Sequence, residues 1–417
     1  MTAPHKSIPK PPGPHKPRLR FFENAANQQH IKGDDRYLYQ QAAPRFRVAV
    51  IGTGTMGQEH MRVATLLGRA QVHGIFDTAS HSMAVASQQF ATYAQTPLLH
   101  YPDLVSACND PATDALIICT PNFTHFEVLR TALQSGKPIL LEKPMATRMQ
   151  DAAQIVALAQ EYGNVLQIGL QYRYKAQYVE TLHELFARNT LGAVQTISLS
   201  EYRPPFLDKV GQWNKFNKFS GGTLVEKCCH YFDLINLIAA ARPVSVYASG
   251  GRAVNFLDFA KDGIKSDIDD HAFVTIEYAN GIRASFTLNM FSPDFHEELI
   301  VVGAQARLVA TESFSILQPQ PVTAHLSIEL AEPGASRRCE VAYPRVIEQS
   351  GHHGATYFEH IAFMDQLEGT ATDAATVEDG FWSMVVAAAA QLSMQEKRAV
   401  AIADFLGELK LSHFLKA

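Results

Sequence analysis

From Arg45 onward, short runs of apolar residues alternate with longer segments in which apolar positions recur at helical spacing. The apolar runs are four or five residues long, which is typical of strands that are buried on both faces of a sheet. Alternation of such strands with helices predicts a parallel sheet that is covered by helices on both sides. The predicted strands are Val48–Ile51, Val72–Phe76, Ala115–Cys119, Pro138–Leu141 and Val165–Ile168, and the predicted helices are Gly57–Leu67, Ser80–Phe90, Phe123–Gln134 and Gln150–Tyr162.

After about Leu191 the pattern changes to strands in which polar and apolar residues alternate, as in an antiparallel sheet with one covered face. Asn280-Gly281 separates two of these strands and predicts a hairpin turn. The sequence therefore predicts an α/β protein with a parallel-sheet domain at 45–165 and a mostly antiparallel α+β domain at 166–417. The predicted elements of the second domain are the strands Ala272–Tyr278, Ile282–Asn289 and Glu298–Val302 and the helices Thr356–Leu367 and Gly380–Ser393.

The first 44 residues do not share this pattern. Residues 1–20 contain six prolines, five lysines or arginines and no acidic residue. Such a segment cannot bury enough apolar surface to become ordered, so we expect a flexible, polyproline-prone arm at 1–44. Within this arm, the residues Asp35–Gln41 are compatible with a short helix. Two interpretations stay open: a tail without function, and an arm that lies on a neighbouring subunit.

Composition and charge exclude several classes of protein. The 417 residues are 47% apolar and 18% charged, which fits two or three globular domains rather than a fibrous or disordered chain. The net charge of −5 is spread without charged blocks in the body of the chain, which argues against a nucleic-acid partner. No apolar run approaches the roughly 20 residues of a membrane helix, and no apolar core of a secretory signal follows the basic N-terminus.

The cysteines predict a reducing environment. The chain has five, an odd number, of which two are adjacent and none forms a C-x-x-C pair. This pattern argues against a disulfide framework and against a zinc ribbon. We therefore expect a cytoplasmic protein without a metal site.

The strongest chemical signal is a glycine-rich turn between the first predicted strand and the first predicted helix. Its pattern is G-x-G-x-x-G, in which the glycines permit a tight turn, close approach of a pyrophosphate, and packing of the helix on the strand. Asp77 ends the second predicted strand, twenty residues after Gly57, where an acid binds the ribose of a dinucleotide. The alternative is a glycine-rich turn in which Asp77 only caps a strand. The predicted dinucleotide-binding residues are Gly52, Thr53, Gly54, Thr55, Met56, Gly57 and Asp77.

Asp77 also indicates which dinucleotide binds. The 2′-phosphate that distinguishes NADP from NAD would bring negative charge against this carboxylate. The next five residues, Thr78 to Ser82, include no lysine or arginine that could compensate for the repulsion. The predicted cofactor is therefore NAD.

Two further segments follow predicted strands at the edge of the sheet where cofactors bind, and both are expected to face the cofactor. For Lys143, which lies in the second segment, the alternative to a place at the cofactor is a solvent-exposed lysine at the end of a strand. His60, in the first turns of the first helix, is predicted to be packed or solvent-facing rather than catalytic. The two segments are Cys119-Thr120-Pro121-Asn122-Phe123-Thr124-His125 and Glu142-Lys143-Pro144.

The segment from Gly221 to Ile238 predicts a helix that is entered through two glycines. Glu226, His230 and Asp233 are spaced i, i+4 and i+7, so they lie on one stripe of this helix. An acid one turn from an imidazole can orient the ring and raise its basicity, which suits proton transfer. A polar stripe on a solvated face is one alternative, and a metal site is another, although the further ligands of a closed site are missing.

The stretch from Tyr202 to Asn214 predicts a long loop that is rich in aromatic and hydrogen-bonding side chains. Sites for sugars and polyols often combine such groups, so Tyr202, Arg203, Trp213 and Asn214 are candidates for substrate binding. An ordinary packed loop is the alternative. His352-His353-Gly354 is a weaker candidate for the same pocket.

These motifs resemble those of the glucose–fructose oxidoreductase, inositol dehydrogenase and MocA-type oxidoreductase family. The resemblance covers roughly Arg45 to Val400 and does not extend to the N-terminal arm. In chain order the motifs are Gly52–Gly57, Thr120-Pro121-Asn122 with His125, Glu142-Lys143-Pro144, Gly169 with Arg173, and Gly221–Asp233.

The resemblance implies a Rossmann domain that binds NAD, then an α+β domain with a large, mostly antiparallel, open-faced sheet, and an active site between the two. It implies that Lys143 is the active-site lysine and that Glu226 and His230 meet the substrate beside it; Glu226 stands where many relatives have aspartate. It further implies that Pro121 and His125 shape their loop. The residues that it places along the cofactor cleft are Thr120, Asn122, Glu142 and Arg173.

The predicted activity is hydride transfer between NAD and a secondary alcohol of a cyclic polyol or sugar, with inositol as the first candidate. Lys143 and His230 would share the proton of the alcohol while Glu226 orients His230, and the sequence leaves open which of the two is the base. The alternatives are an NAD-dependent glycosidase of the same fold and a non-catalytic protein that senses NAD or a sugar. Because relatives commonly associate through the open sheet face, the resemblance implies a homodimer or homotetramer.

Overall fold

The first domain is built on a parallel sheet, as the strand–helix alternation predicts. The computed structural model describes residues 43–206, 208–315, 322–331 and 336–415, so nearly all of the predicted arm lies outside the described residues. The strands of this sheet lie in the order β3-β2-β1-β4-β5-β6 and pair in parallel throughout. Their bounds are β1 Phe46–Ile51, β2 Ala70–Phe76, β3 Leu99–His100, β4 Ala115–Ile118, β5 Ile139–Glu142 and β6 Leu166–Gly169.

Helices cover both faces of this sheet. The apolar runs form the sheet because alternate side chains of a strand face opposite layers: Val48 and Val50 pack in one core, whereas Ala49 and Ile51 pack in the other. The predicted helices are confirmed to within a few residues, and the segment before α4 is a short 3₁₀ turn at Asn122–Thr124. The helices are α1 Thr55–Leu67, α2 Ser80–Phe90, α3 Leu104–Asn109, α4 His125–Leu133 and α5 Met149–Glu161.

The second domain contains a mostly antiparallel sheet whose described strands lie in the order β16-β15-β14-β13-β7-β12-β11-β8-β17. Only the β7–β12 pair is parallel among these described strands. The predicted hairpin at Asn280-Gly281 is confirmed, since it joins β11 to β12. The strands are β7 Val194–Tyr202, β8 Pro243–Gly251, β11 His271–Tyr278, β12 Arg283–Asn289, β13 Phe295–Gly303, β14 Ala306–Phe314, β15 Thr323–Leu330, β16 Arg337–Glu340 and β17 Val400–Ala401, and a separate small ribbon consists of β9 Ala260–Lys261 and β10 Ile264–Lys265.

Within the described part of the chain, helices cover one face of this sheet and leave the other face open. On β11, the alternate residues Ala272, Val274 and Ile276 are buried, while Phe273 between them is 61% exposed. The covering layer includes α12, which packs on both α9 and β8. The described helices are α6 Ala176–Leu182, α7 Asn217–Ser220, α8 Thr223–Glu226, α9 Cys229–Ala239, α10 Arg345–Glu348, α11 Ala355–Leu367, α12 Val377–Glu396 and α13 Ile402–Glu408. Of the helices described, none is both long enough and apolar enough to cross a bilayer.

The two domains are joined more closely than the predicted boundary at 165 suggests. β6 pairs with β5, so the parallel sheet continues to Gly169. Near the C-terminus, α11 returns to the first domain and packs on α1, where Tyr357 and Phe363 join the core that contains Val48. The boundary prediction is wrong at this point, because β6 completes the ladder of the first sheet rather than starting the second domain.

Candidate active site

A cavity of about 390 Å³ opens at the carboxyl edge of the parallel sheet, where α/β sheets bind ligands. Its walls come from the ends of β1, β2, β4 and β5 and, on the other side, from residues 208–213 and the end of α8. The predicted site residues that line it are Thr53, Gly54, Thr55, Met56, Asp77, Thr120, Pro121, Asn122, His125, Glu142, Lys143, Trp213 and Glu226. The predicted residues that do not line it are Gly52, Gly57, Arg173, Tyr202, Arg203, Asn214 and His230.

The glycine-rich turn has the shape that a pyrophosphate requires. Gly52 has a φ of +93°, and a Cβ atom there would lie 2.6 Å from the carbonyl carbon of Cys119. A Cβ atom on Gly57 would lie 2.0 Å from the carbonyl oxygen of Gly52. A Cβ atom on Gly54 would meet nothing within 4 Å, and no side chain caps the helix that begins at Thr55. The turn therefore leaves open space beside uncapped helical N–H groups, which fits a dinucleotide phosphate.

Asp77 lies at the far end of the cavity and is held by main-chain donors. Its Oδ2 accepts hydrogen bonds from the N–H of Thr53 at 2.8 Å and from the hydroxyl of the same residue at 3.2 Å. Its Oδ1 accepts from the N–H of Ala79 at 2.8 Å. Among the described residues that line this end, none is a lysine or an arginine. The carboxylate is thus held in a fixed position in the wall of the cavity.

His125 ties together the two loops that follow β4 and β5. Its Nδ1 lies 2.8 Å from the carbonyl oxygen of Pro144, and its Nε2 lies 2.8 Å from that of Thr120. Burial lowers the pKa of His125, although both carbonyl contacts oppose this effect. The imidazole thereby fixes one cavity loop against the other.

Glu142 anchors the end of β5 to α1. Its Oε1 accepts a hydrogen bond from Nε2 of His60 at 2.8 Å, and its Oε2 accepts one from the N–H of Lys143 at 3.0 Å. Burial acts to raise the pKa of Glu142, but the hydrogen bond and charge of His60 lower it below its usual value. His60 is fully buried, and its Nδ1 lies 2.7 Å from Nε2 of His360. His60 is therefore a packed, hydrogen-bonded residue.

Lys143 joins the first domain to α8. Its ammonium donates a hydrogen bond to the carbonyl oxygen of Glu226 at 3.1 Å. Burial acts to lower the pKa of Lys143, yet the attraction of Glu226, Cys229 and Glu142 raises it above its usual value. Lys143 is thus a charged ammonium at the wall of the cavity.

The helix predicted from Gly221 to Ile238 is interrupted, which changes the surroundings of His230. α8 ends at Glu226 and α9 starts at Cys229. At the break, the buried ammonium of Lys227 donates to the hydroxyl of Tyr172 at 2.6 Å and lies 3.0 Å from Oε1 of Glu201. These contacts give a physical reason for the interruption, because they draw Lys227 toward the sheet.

His230 is oriented by stacking rather than by Glu226. Its ring lies parallel to that of Tyr172, with the centroids 4.0 Å apart. Nδ1 of His230 is buried and has no hydrogen-bond partner within the described part of the chain. The structure therefore contradicts the predicted orientation of His230 by Glu226. Burial, with the charges of Lys143 and Lys227, lowers the pKa of His230 well below its usual value, so the ring is neutral.

Arg173 and Asp233 bind each other instead of facing the cavity. Nε and Nη2 of Arg173 donate to the two carboxylate oxygens of Asp233, both at 2.6 Å. Nη2 of Arg173 also lies 3.2 Å from Asp379 at the start of α12. This bidentate pair ties the 3₁₀ turn after β6 to α9. The predicted place of Arg173 in the cofactor cleft is wrong in this structure, because its guanidinium is fully engaged elsewhere.

Of the four candidates in the predicted substrate loop, Trp213 lines the cavity, and its ring packs edge-on against Phe123 with centroids 6.3 Å apart. Tyr202 is exposed at the end of β7. Asn214 is buried, and Nη1 of Arg203 lies 3.6 Å from Glu201. The structure thus separates Tyr202, Arg203 and Asn214 from the cavity wall.

His352 and His353 tie their turn to carboxylates of two different domains. Nδ1 of His352 lies 2.7 Å from Glu59 on α1, and Nδ1 of His353 lies 2.8 Å from Glu312 on β14. Burial acts to raise the pKa of Glu59, but His352 and Thr356 lower it to about 2. Neither histidine lines the cavity, so this pair holds the domains together.

Sequence reasoning missed several residues that line the cavity. Gln58 follows directly after the glycine motif, so its position was available as a signal. Lys209 lies in the loop that the sequence singles out, but neither spacing nor a motif distinguishes it. The missed residues are Gln58, Thr78, Ala79, His81, Ser82, Val85, Asp208, Lys209 and Val210.

A buried cluster of one histidine and two glutamates adjoins the cavity through Glu142. Ligand-type atoms of His60, Glu142 and Glu359 lie within 4.8 Å of one another. Both carboxylate oxygens of Glu359 are buried without a hydrogen-bond partner among the described residues. Burial, together with the charges of Glu142 and Glu59, raises the pKa of Glu359 well above its usual value. Burial and the two neighbouring carboxylates therefore favour the neutral acid form of Glu359.

Two family models match consecutive parts of the chain. Residues 46–170 match the NAD-binding Rossmann fold of an oxidoreductase family, and residues 183–402 match the C-terminal alpha/beta domain of the same family. The chain belongs to this oxidoreductase family. It is the family of glucose–fructose oxidoreductase, inositol dehydrogenase and MocA, so both the predicted resemblance and the predicted fold class are confirmed.

Members of the oxidoreductase family resemble the chain at low identity. The myo-inositol 2-dehydrogenase of Thermotoga maritima is 22% identical over 365 residues, which are 87% of this chain and 100% of that protein. The uncharacterised oxidoreductase YrbE of Bacillus subtilis is 25% identical over 239 residues, which are 56% of this chain and 64% of that protein. The structure of scyllo-inositol dehydrogenase from Lactobacillus casei with bound NAD(H) and scyllo-inositol has 19% identity, a TM-score of 0.66, and coverage of 86% and 99% of the two chains.

Proposed function

We propose that the protein is an NAD-dependent oxidoreductase that transfers a hydride between the nicotinamide and a secondary alcohol of a cyclic polyol or sugar. The cavity carries this proposal, because it joins the glycine turn and Asp77 at one end to Lys143 and Glu226 at the other. Bound NAD supplies the hydride acceptor. The residues of the chain have to position the alcohol and take up its proton.

The charge states of Lys143 and His230 suggest that the two residues have different roles in the reaction. Lys143 is an ammonium, which donates hydrogen bonds and stabilises negative charge on the alcohol oxygen. His230 is neutral, so its imidazole can accept a proton from a substrate that extends beyond the lining of the cavity to this ring. We therefore assign proton acceptance to His230 and polarisation of the hydroxyl to Lys143.

The preference for NAD over NADP rests on Asp77. Its carboxylate lies beside the space for the ribose, held by the N–H groups of Thr53 and Ala79. A 2′-phosphate would meet this negative charge without a compensating lysine or arginine among the described lining residues.

Names of relatives support a polyol as substrate. The Thermotoga maritima relative is a myo-inositol 2-dehydrogenase, and the Lactobacillus casei structure contains scyllo-inositol. We also propose a homodimer or homotetramer formed through the open sheet face, and a cytoplasmic location. All five cysteines of the chain are free thiols, which agrees with a reducing compartment.

Formation of NADH from a panel of inositols, aldoses and unsaturated diols tests the proposed activity. We expect at least one cyclic polyol or sugar to reduce NAD, with less or no reaction when NADP replaces it. Binding of NAD without turnover of any compound, in either direction of the reaction, would contradict the assignment as a dehydrogenase of this substrate class.

A further inference from the structure

Lys209 differs from the neighbouring lysines. The ammonium of Lys143 donates to the carbonyl oxygen of Glu226, and that of Lys215 lies 2.8 Å from Asp208. Lys209 lines the same cavity as Lys143, but its ammonium has no hydrogen bond and no ion pair with any residue that the structure describes. One cation in the wall of the cavity is therefore left without a direct partner.

The segment that carries Lys209 is braced. The N–H of Gln212 donates to the carbonyl oxygen of Lys209 at 2.8 Å, which closes a tight turn. The next residue, Trp213, packs against Phe123 of the first domain. Lys209 thus sits on a turn that is fastened to the opposite wall of the cavity.

The surroundings of Lys209 place it at the chemical end of the cavity. Burial lowers the pKa of Lys209, and the charges of Glu226, Lys143 and Glu142 act on it as well. These groups lie at the end of the cavity opposite to Asp77 and the ribose space. An ammonium here faces a substrate rather than the adenosine half of a dinucleotide.

We propose, building on the proposed function, that Lys209 binds a carboxylate of the substrate, so that the substrate is a cyclic polyol or sugar that bears a carboxyl group. A partly desolvated ammonium without a partner gains a charge-assisted hydrogen bond when a carboxylate arrives, which is stronger than a bond to a neutral hydroxyl. A single ammonium matches the single charge of a carboxylate. Phosphate sites instead combine several backbone N–H groups or a guanidinium fork.

Matched neutral and acidic sugars test this site. NADH formation is measured with D-glucose against D-glucuronate and with D-galactose against D-galacturonate. We expect wild-type kcat/KM for the acid to exceed that for the neutral sugar by about 10-fold or more, the scale of one charge-assisted hydrogen bond. Lys209→Met should abolish this preference by raising KM for the acid alone. Lys209→Arg should keep it, and so should Lys218→Met, since Lys218 is exposed and does not line the cavity.

Calorimetric binding of D-glucuronate to the NAD-saturated protein separates this proposal from the proposed function. If no sugar is oxidised but D-glucuronate binds wild type about 10-fold more tightly than Lys209→Met, the carboxylate site stands and the dehydrogenase activity does not. Equal binding and equal kcat/KM for acid and neutral sugar in the wild type would overturn the site. The carboxylate site would also be overturned if Lys209→Met weakened the binding of NAD instead of D-glucuronate. The same holds if D-glucose 6-phosphate bound more tightly than D-glucuronate.

Discussion

Lys143 is half-buried at the cavity wall and His230 is buried, and their charges influence each other. Burial and the ammonium of Lys143 both disfavour a charged His230, which lowers its pKa. Removal of Lys143 therefore removes a donor to the alcohol and also one of the charges that keep the imidazole neutral. The two effects can be separated by the pH dependence of the reaction.

Lys143→Ala should lower kcat by about 100-fold, the scale of losing one acid–base group, while the Kd of NAD stays nearly unchanged. If His230 must be neutral to accept a proton, activity falls as pH drops through its pKa. The variant lacks the repelling ammonium, so its acidic limb should move to higher pH. Steady-state kinetics across pH measure both effects, with Lys218→Ala as an exposed control. A rise in KM with kcat near wild type would show that Lys143 only binds substrate.

Asp77 gives a second prediction, on cofactor choice. The unmodified protein should prefer NAD to NADP by about 10-fold or more in kcat/KM, because the 2′-phosphate meets a carboxylate of like charge. Asp77→Ser combined with Thr78→Arg should narrow or reverse this preference, whereas Thr78→Ser should leave it in place. Equal or better use of NADP by the unmodified protein would refute the role of Asp77.

Glu359 links a single buried group to the stability of the fold. Its pKa is raised in the folded state by burial and by nearby carboxylates, while in the unfolded chain it ionises near its usual value. As pH rises above about 4.5, the unfolded state loses a proton that the folded state keeps, so this group lowers the free energy of unfolding.

Glu359→Gln cannot ionise, so it should be more stable than wild type at pH 8 and less different at pH 5. One pKa unit corresponds to about 1.4 kcal/mol, so we expect a gain of more than about 1 kcal/mol at pH 8. Urea unfolding at the two pH values measures the gain, and Glu340→Gln, at an exposed position, is the control. A difference that does not change with pH would show that Glu359 is ionised in the fold.

Single residues also show which features of the site could be predicted from the sequence and which could not. The glycine motif, Asp77 and Lys143 were identified because motifs fix their relation to a strand. The pairing of Arg173 with Asp233 was not predicted, because the two residues lie sixty positions apart along the chain and no local spacing reports that contact. The role of Tyr172 in orienting His230 was missed for the same reason.

At the scale of elements, the turn between β1 and α1 gives a matched pair of substitutions. A Cβ atom on Gly57 would lie 2.0 Å from the carbonyl oxygen of Gly52, so Gly57→Ala should distort the turn and lower the free energy of unfolding. A loss of about 1–3 kcal/mol is typical of such overpacking. A Cβ atom on Gly54 meets nothing within 4 Å, so Gly54→Ala should fold normally.

Gly54→Ala should nevertheless weaken NAD binding by about 10-fold or more, because its methyl group occupies the space that a pyrophosphate needs. Urea unfolding and calorimetric binding of NAD distinguish the two variants. Normal NAD affinity in a folded Gly54→Ala protein would mean that the phosphates do not bind at this turn.

Element prediction succeeded where each element follows from its own residues. The other strands and helices of the first domain were predicted to within a few residues because local periodicity defines them, but the short elements β3 and α3 were not predicted. The interruption at Lys227 was not predicted, because it depends on contacts with Glu201 and Tyr172 in other elements. Long-range polar contacts thus overrode a locally helical pattern.

At the scale of the whole molecule, the chain folds back across its own domain boundary. α11 packs on α1, and Asp365 of α11 forms an ion pair, at 2.6 Å, with Arg69 in the connection between α1 and β2. Strand order in the large sheet is likewise non-sequential, with β7 between β12 and β13. The sequence predicts alternating strands but not their neighbours, because the alternation specifies which face is buried and not which strand lies alongside.

The open face of the large sheet gives the last prediction. Phe273 and Tyr247 lie on the adjacent strands β11 and β8 and are 61% and 48% exposed. Neighbouring exposed aromatic residues on an uncovered sheet are typical of a surface that packs against another chain. Light scattering at about 10 µM, a concentration at which a micromolar or tighter dimer predominates, should therefore give two or four times the chain mass of 46.0 kDa.

Phe273→Asp should shift the mass toward 46.0 kDa without unfolding the domain, because the inward-facing side chains of β11 are untouched. Leu257→Asp, at an exposed position outside the large sheet, is the control. A wild-type mass of a single chain, or an assembly that Phe273→Asp leaves intact, would exclude this part of the sheet face as the interface.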